Sequence, residues 1–220
     1  MKKLSILSIF FTILLSLSVH AGTEKSWELV SDSDGYITKR MKVDGSSLFA
    51  FRGETVADVP FSKVISIFLD VKKQKDWVDM FGGAKSIKTV SELERVYWIR
   101  FNTPFIISDR DYVLHTVGKP DAEAKTFTAN IRSVAHQEAP SKDCCVRAEA
   151  KGTYYKFTAL PDNKTKIEVE VHTDPKGKIP SWITNMVQKN WPKKTLSALV
   201  REAARKSTES HPEYLSWDAS

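Results

Sequence analysis

This sequence predicts an α+β fold: one antiparallel sheet covered on its apolar face by a long C-terminal helix. Three observations lead there. From Gly83 to Val171, six segments alternate polar and apolar residues with a period of two. Turn-forming stretches such as "GKPDAE" and "LPDNKT" separate the segments at short intervals, as in an antiparallel meander with one apolar face. Beyond Pro180 the period becomes helical, and this is the one long helix available to cover the sheet.

The N-terminal stretch "MKKLSILSIFFTILLSLSVHA" has two lysines, an apolar run from Leu4 to Val19 and small residues at its end. That layout predicts a secretory signal peptide cleaved after Ala21, and therefore a periplasmic or secreted protein. A membrane anchor is the alternative, but the run is shorter than the ~20 residues a spanning helix needs. No cysteine follows the cleavage site, so a lipoprotein is not expected. Removing 21 of 220 residues leaves 199, enough for one domain with a sizeable core. We expect that domain over 22–206 and a flexible tail over 207–220, although Tyr214, Leu215 and Trp217 could dock. The charge of +6 loses Lys2 and Lys3 and falls to +4, which permits attraction to anionic membranes without demonstrating it.

In chain order, "WELV", "GYITKRMK" and "SSLFAFRGETV" read as early strands, with turns at Asp34-Gly35 and Asp44-Gly45. Pro60 can open a helix, and Phe61, Val64, Ile65, Phe68 and Leu69 recur at helical spacing, with a further short turn near Trp77. Six strands follow: "SIKTV", "ERVYWIRF", "RDYVLHTVG", "TFTANIRSVA", "CVRAEAKGTYYKF" and "TKIEVEV". The last is the clearest, with Ile167, Val169 and Val171 inward and Lys166, Glu168 and Glu170 outward. "DPKG" should form a type I turn leading to a helix that begins at Pro180. Trp182, Ile183, Met186, Val187 and Trp191 make one apolar stripe, which Leu196, Leu199, Val200 and Ala203 continue. Pro192 interrupts this helix and should kink it.

Neighbouring Cys144 and Cys145 have Cα atoms ~3.8 Å apart, so a bridge between them would be strained. The expectation is two small side chains on opposite faces of a strand, with a reactive or intermolecular pair still open. Catalytic motifs are sparse: there is no G-x-S-x-G, H-E-x-x-H or Gly-rich phosphate loop. His115, His136 and His172 lack ligand-type spacing, so no metal and no cofactor is expected. His115 should lie at the surface or be satisfied, and Arg110, between Asp109 and Asp111, should be a structural ion-pair residue.

Four blocks carry a family resemblance: a tryptophan followed by "DGYITKR", a helix ending at Trp77, "VYWIRFNTPFIISDRDYV", and "DPKGKIPSWITN" before the last helix. Over about residues 27 to 206 the chain resembles the START (StAR-related lipid-transfer) domains, most closely their phosphatidylcholine-transfer branch. The resemblance implies a helix-grip fold, a curved antiparallel sheet wrapped around the C-terminal helix, with a tunnel for one lipid. It implies a gate formed by the loop "NTPFIISDR", with Phe105, Ile106 and Ile107 at its tip, together with Trp182 and the hinge at Pro192. Those three loop residues could equally pack inward.

The resemblance also marks Trp98 and Tyr112 as aromatics that could surround a quaternary ammonium. An ordinary core role is the alternative for both. Trp77, Gln74, Asn185 and Met186 complete the implied ligand contacts. Choline-binding relatives place an arginine and an aspartate where this chain has Gln74 and Val78, and sterol-binding relatives place an acid and an arginine where it has Tyr97 and Thr116. Neither headgroup is therefore expected.

The expected function is a non-enzymatic, monomeric carrier. It would bind one lipid or other hydrophobic small molecule in an internal tunnel and touch membranes transiently. A helix-grip enzyme of cyclase or hydrolase type and a ligand-sensing interaction module are the alternatives. No nucleic-acid partner is expected, because the tryptophans of the last helix fall on its apolar stripe and not among its lysines.

Overall fold

The computed structural model describes residues 26–103, 107–139 and 144–218. Ten strands form one sheet: β1 (Glu28–Ser33), β2 (Tyr36–Lys42), β3 (Phe49–Ala57), β4 (Phe81–Thr89), β5 (Glu94–Phe101), β6 (Asp109–Asp121), β7 (Thr126–Ser133), β8 (Cys145–Arg147), β9 (Glu149–Leu160) and β10 (Lys164–Asp174). Helices α1 (Phe61–Leu69) and α2 (Gln74–Trp77), joined by a 3-10 turn at Val71–Lys73, lie between β3 and β4. The long helix α3 (Ser181–Ala203) follows β10. This is the α+β helix-grip architecture that the resemblance implied.

The sheet order is β1-β2-β3-β10-β9-β7-β6-β5-β4, with β8 beside β6. The excursion through α1 and α2 carries the chain from β3 to the far edge, and β10 returns to pair with β3. The sheet is therefore two antiparallel runs joined through β10, not a single meander. One pairing is parallel: β8 runs along the start of β6, Asp109 opposite Cys145.

Local chemistry explains the hairpins. Asp34 and Gly35 both have positive φ, as do Asp162 and Asn163, the backbone that two-residue turns between twisted strands require. On β10, Ile167 and Val169 are fully buried, with polar residues alternating between them. Against this face pack α1 and the C-terminal half of α3, including Leu196, Leu199 and Ala203. The approach is close where α3 crosses β3: a Cβ added to Gly53 would stand 2.7 Å from Pro192 Cβ. α3 is continuous through Pro192.

Three expectations need correction. The tail is docked, for Pro212–Trp217 forms a 3-10 turn that buries Tyr214 and Trp217 against Phe61. Cys144 and Cys145 are joined by a disulfide; Cys144 lies in the turn before β8, so strand alternation does not drive the two side chains apart. The turn "DPKG" is not type I, because Lys176 and Gly177 both have positive φ. Asp174 accepts a hydrogen bond from the Lys176 amide at 2.9 Å and stabilises that conformation. The expected signal peptide, residues 1–21, lies outside the described residues.

Candidate functional site

Among the described residues two buried apolar clusters form, bridged by partly buried Ile131. The larger one joins α1, the C-terminal half of α3 and strands β7, β9 and β10. The smaller one comprises Tyr97, Ile99, Tyr112, Leu114, Ala148 and Ala150. Between the clusters and the N-terminal half of α3 lies a cavity of about 180 Å³. Strand alternation builds its floor: Tyr97 and Ile99 of β5 point inward beside their register partners Leu114 and Tyr112 of β6. Ile183, Val187 and Trp191 of α3 form the opposite wall.

The polar groups of the cavity sit at its ends. Register places Arg95 opposite Thr116 at one end of the β5–β6 pair and Phe101 opposite Arg110 at the other. Arg95 and Phe101 lie six positions apart on β5, a span of ~20 Å. At the first end Arg95 is 8 % exposed, and its Nη1 donates to the carbonyl of Leu69, the last residue of α1, at 3.1 Å. Gln74 and Trp77 of α2 face the same space. At the second end, Arg110 is 4 % exposed. Its guanidinium donates to the carbonyls of Pro175 and Lys176, both at 3.1 Å, and to that of Ser108. Arg110 therefore fastens the loop before β6 and the loop before α3 through backbone carbonyls, not through the ion pair expected of it. Burial holds its pKa below the usual arginine value.

Tyr112 is buried in the cavity wall, and desolvation pushes its phenol up to about 12; Thr173, its hydrogen-bond partner, works in the opposite direction. The Tyr97 and Tyr155 hydroxyls are likewise raised by burial. All three phenols stay neutral at ordinary pH, so the wall contributes uncharged surface.

The structure brings Gln74, Trp77, Tyr112 and Ile107 together around the cavity. It does not bring Trp98 there. Trp98 alternates with Tyr97 and Ile99, so its ring lies on the other face of β5, where Nε1 donates to Asp111 at 2.6 Å. Asp111, itself fully buried, is held by Arg147 of β8 through two hydrogen bonds. The expected pairing of Trp98 with Tyr112 around one ligand group is thus ruled out by the two-residue period.

Asn185 also faces elsewhere, accepting from the Phe49 amide at 3.1 Å and donating to the Ser47 carbonyl at 3.3 Å. Met186 and Trp182 are exposed, at 44 % and 67 %, one turn apart on the outer side of α3. The helical stripe is therefore narrower than the sequence suggested. Pro192 is buried at the crossing with β3. Phe105 and Ile106 lie outside the described residues. His115 is on the outer face of β6, 2.9 Å from Glu94.

Sequence reasoning missed Arg95, Arg110 and Thr184 as cavity residues. The signal for Arg95 was present: it shares the inward parity of Tyr97 and Ile99, and a charged residue at that parity is unusual. Among the described residues no group of three or more His, Cys, Asp or Glu could hold a metal ion. No described helix is long and apolar enough to cross a membrane.

Comparison with known proteins agrees with this geometry. The START domain family model matches residues 15–206. An uncharacterised protein of Pseudomonas aeruginosa is 26% identical over 187 residues, covering 83% of this chain and 88% of that protein. The phosphatidylcholine transfer protein of Bos taurus is 26% identical over 183 residues, covering 80% and 83%. Among solved structures, human StAR-related lipid transfer protein 5 superposes with a TM-score of 0.74 at 20% identity, covering 80% of this chain and 86% of that one. The STAR-related lipid transfer protein of Xanthomonas axonopodis gives 0.70 at 24%, covering 81% and 99%.

Proposed function

The chain belongs to the START domain family, and from that premise we propose that it binds a single lipid or other hydrophobic molecule in its cavity and carries it between membranes. The observation that carries this reading is the cavity between the two apolar clusters and the N-terminal half of α3, walled by Ile99, Leu114, Ile183 and Val187. Each acyl CH₂ taken from water into such a space contributes about 0.8 kcal/mol, so the cavity can hold a chain without covalent chemistry. The carrier reading also fits the lining, where no His, Asp, Glu or Lys stands among the described residues and burial raises the pKa of each of the three tyrosines, Tyr97, Tyr112 and Tyr155.

Transfer requires contact with a bilayer. Exposed Trp182 and Met186 stand on the first turns of α3, beside Ile179 and Ile183 at the end of the cavity that Arg110 frames. Lys178 and Lys189 flank them in sequence, a pairing of apolar anchors with basic residues suited to an anionic membrane surface. In this reading the protein is exported, its leader removed after Ala21, and acts as a monomer in the periplasm or outside the cell.

The deciding experiment is native mass spectrometry of the mature protein from its own compartment, followed by a vesicle-to-vesicle transfer assay. A stoichiometric lipid that moves between vesicles in proportion to protein concentration is the expected result. Protein that is empty and cannot be loaded from mixed vesicles would refute the carrier reading.

A further inference from the structure

The charged residues that line the cavity are two arginines, with no acidic residue among the described lining. One of them, Arg110, is committed to three backbone carbonyls. The other is not. Arg95 makes one hydrogen bond, from Nη1 to Leu69, while its buried Nε has no partner.

Around Arg95 the same condition recurs. Trp77 Nε1, Gln74 Oε1 and Thr116 Oγ1 are each buried, each belong to side chains lining the cavity, and each lack a hydrogen-bond partner. The Tyr97 hydroxyl comes near enough to Thr116 and Gln74 to interact with them, yet neither of those two oxygens completes a bond. Four unpaired polar atoms at one end of an otherwise apolar space are too many for ordinary packing, since each costs about 1–3 kcal/mol if left unmet. A buried cation without a counter-charge costs more.

These atoms specify a chemistry. Arg95 Nε and Trp77 Nε1 can only donate, Gln74 Oε1 can only accept, and Thr116 can do either. The donors of that set suit acceptor oxygens bearing negative charge, while Gln74 Oε1 suits a hydroxyl, such as that of a singly protonated phosphate. The set does not suit a quaternary ammonium: Trp77 and Tyr97 offer rings here, but no carboxylate is among the described lining and the buried Arg95 guanidinium would repel a second cation. Resting on the lipid-binding reading above, the geometry points to an acidic amphiphile as the ligand: its carboxylate or phosphate oxygens are held by the donors Arg95, Trp77 and Thr116. Its chain lies along Tyr97, Leu114, Ile99 and Tyr112 towards Arg110.

The test uses the mature full chain and five probes: hexadecanoate, hexadecyl phosphate, hexadecanol, hexadecylphosphocholine and inorganic phosphate. The two acidic amphiphiles should bind about 10- to 100-fold more tightly than hexadecanol, the range expected for charge-assisted hydrogen bonds. Arg95→Gln should abolish that preference, and a circular-dichroism spectrum and melting curve like those of the parent protein would show that the variant is folded. Trp77→Phe keeps a ring but removes the donor, and should reduce acid affinity severalfold.

Equal binding of acid and alcohol, or an unchanged preference in Arg95→Gln, would overturn the proposal while leaving the carrier reading intact. Preference for the phosphocholine probe would do the same. Inorganic phosphate binding as tightly as hexadecyl phosphate would replace it with a free-anion site. If no amphiphile bound, both this proposal and the lipid-binding reading would fall.

Discussion

The guanidinium Nε of Arg110 donates to the carbonyl oxygen of Pro175 at 3.1 Å, tying strand β6 to the loop that leads into α3. Nη2 reaches the Lys176 carbonyl, and Nη1 takes the Ser108 carbonyl from the facing loop. One side chain thus spans both segments at this end of the cavity. Arg110→Ala should lower stability by about 1.5–3 kcal/mol, the worth of a charge-assisted hydrogen bond. Amide exchange in residues 174–180 should rise more than exchange in β9. Arg110→Lys, which keeps the charge but loses the planar fork, should restore little of this protection. Unchanged exchange in both variants would show that the loop is held by other contacts.

The crossing of α3 over β3 offers a second test. With Pro192 Cβ 2.7 Å and Leu196 Cδ1 3.2 Å from the place a Cβ would occupy, Gly53→Ala should cost about 1–3 kcal/mol by overpacking, seen as a lower denaturation midpoint with an unchanged slope. Pro192 also lacks the N–H that would bond the Gln188 carbonyl one turn back, so one backbone bond between the cavity-lining half of α3 and its packed half is missing at this point. Pro192→Ala should restore that bond, stiffen the helix and slow lipid transfer while leaving equilibrium loading unaltered. Equal transfer rates in both proteins would remove the hinge from the mechanism.

Tyr112 links burial to pH. Its folded pKa lies near 12, above the ordinary 10 of an exposed phenol. The unfolded chain therefore loses the proton first as pH rises, and between pH 10 and 12 it is favoured. The stabilisation is fully present below pH 10 and is lost as pH climbs through the folded value, amounting to about 2–3 kcal/mol for two pKa units. Tyr112→Phe should flatten this part of the stability–pH curve. An identical alkaline slope in the variant would place the titration elsewhere, on Tyr97 or Tyr155, which burial also raises.

Much of this architecture could be read from local periodicity. On β10, Ile167 and Val169 alternate with charged residues, and the structure buries them fully. Turn chemistry at Asp34-Gly35 likewise needed no tertiary information. What escaped were features set by distant partners. Lys176 takes a left-handed backbone where its own preference is otherwise, because Asp174 and Arg110 hold the loop's amide and carbonyls. Trp98 was assigned by resemblance, against the parity that puts Tyr97 and Ile99 inward. Trp182 and Met186 fit a helical stripe, but which edge of that stripe meets the sheet depends on the crossing at Gly53. The hollow was implied by the resemblance alone, since alternation reads the same over a cavity as over a packed core.

The docked C-terminus yields the last prediction. Asp218 accepts from the amide and the hydroxyl of Ser62, at 2.9 and 2.5 Å, and so caps the first turn of α1, where Pro60 offers no side-chain cap. The His211 amide donates to the Ser62 carbonyl at 3.1 Å. Between these bonds, Tyr214 and Trp217 close over Phe61, with ring centroids 5.8 and 5.1 Å away. Asp218→Ala should cost about 0.5–2 kcal/mol by loss of the cap. Ending the chain after Lys206 also strips two aromatic rings from Phe61 and should cost about 3–5 kcal/mol, the range for a large buried side chain removed. Because Tyr214 and Trp217 do not line the cavity, ligand affinity measured well below the melting temperature should be preserved in both variants. A shortened chain that melts with the full-length protein would mean that the docked segment contributes nothing to holding α1 in place.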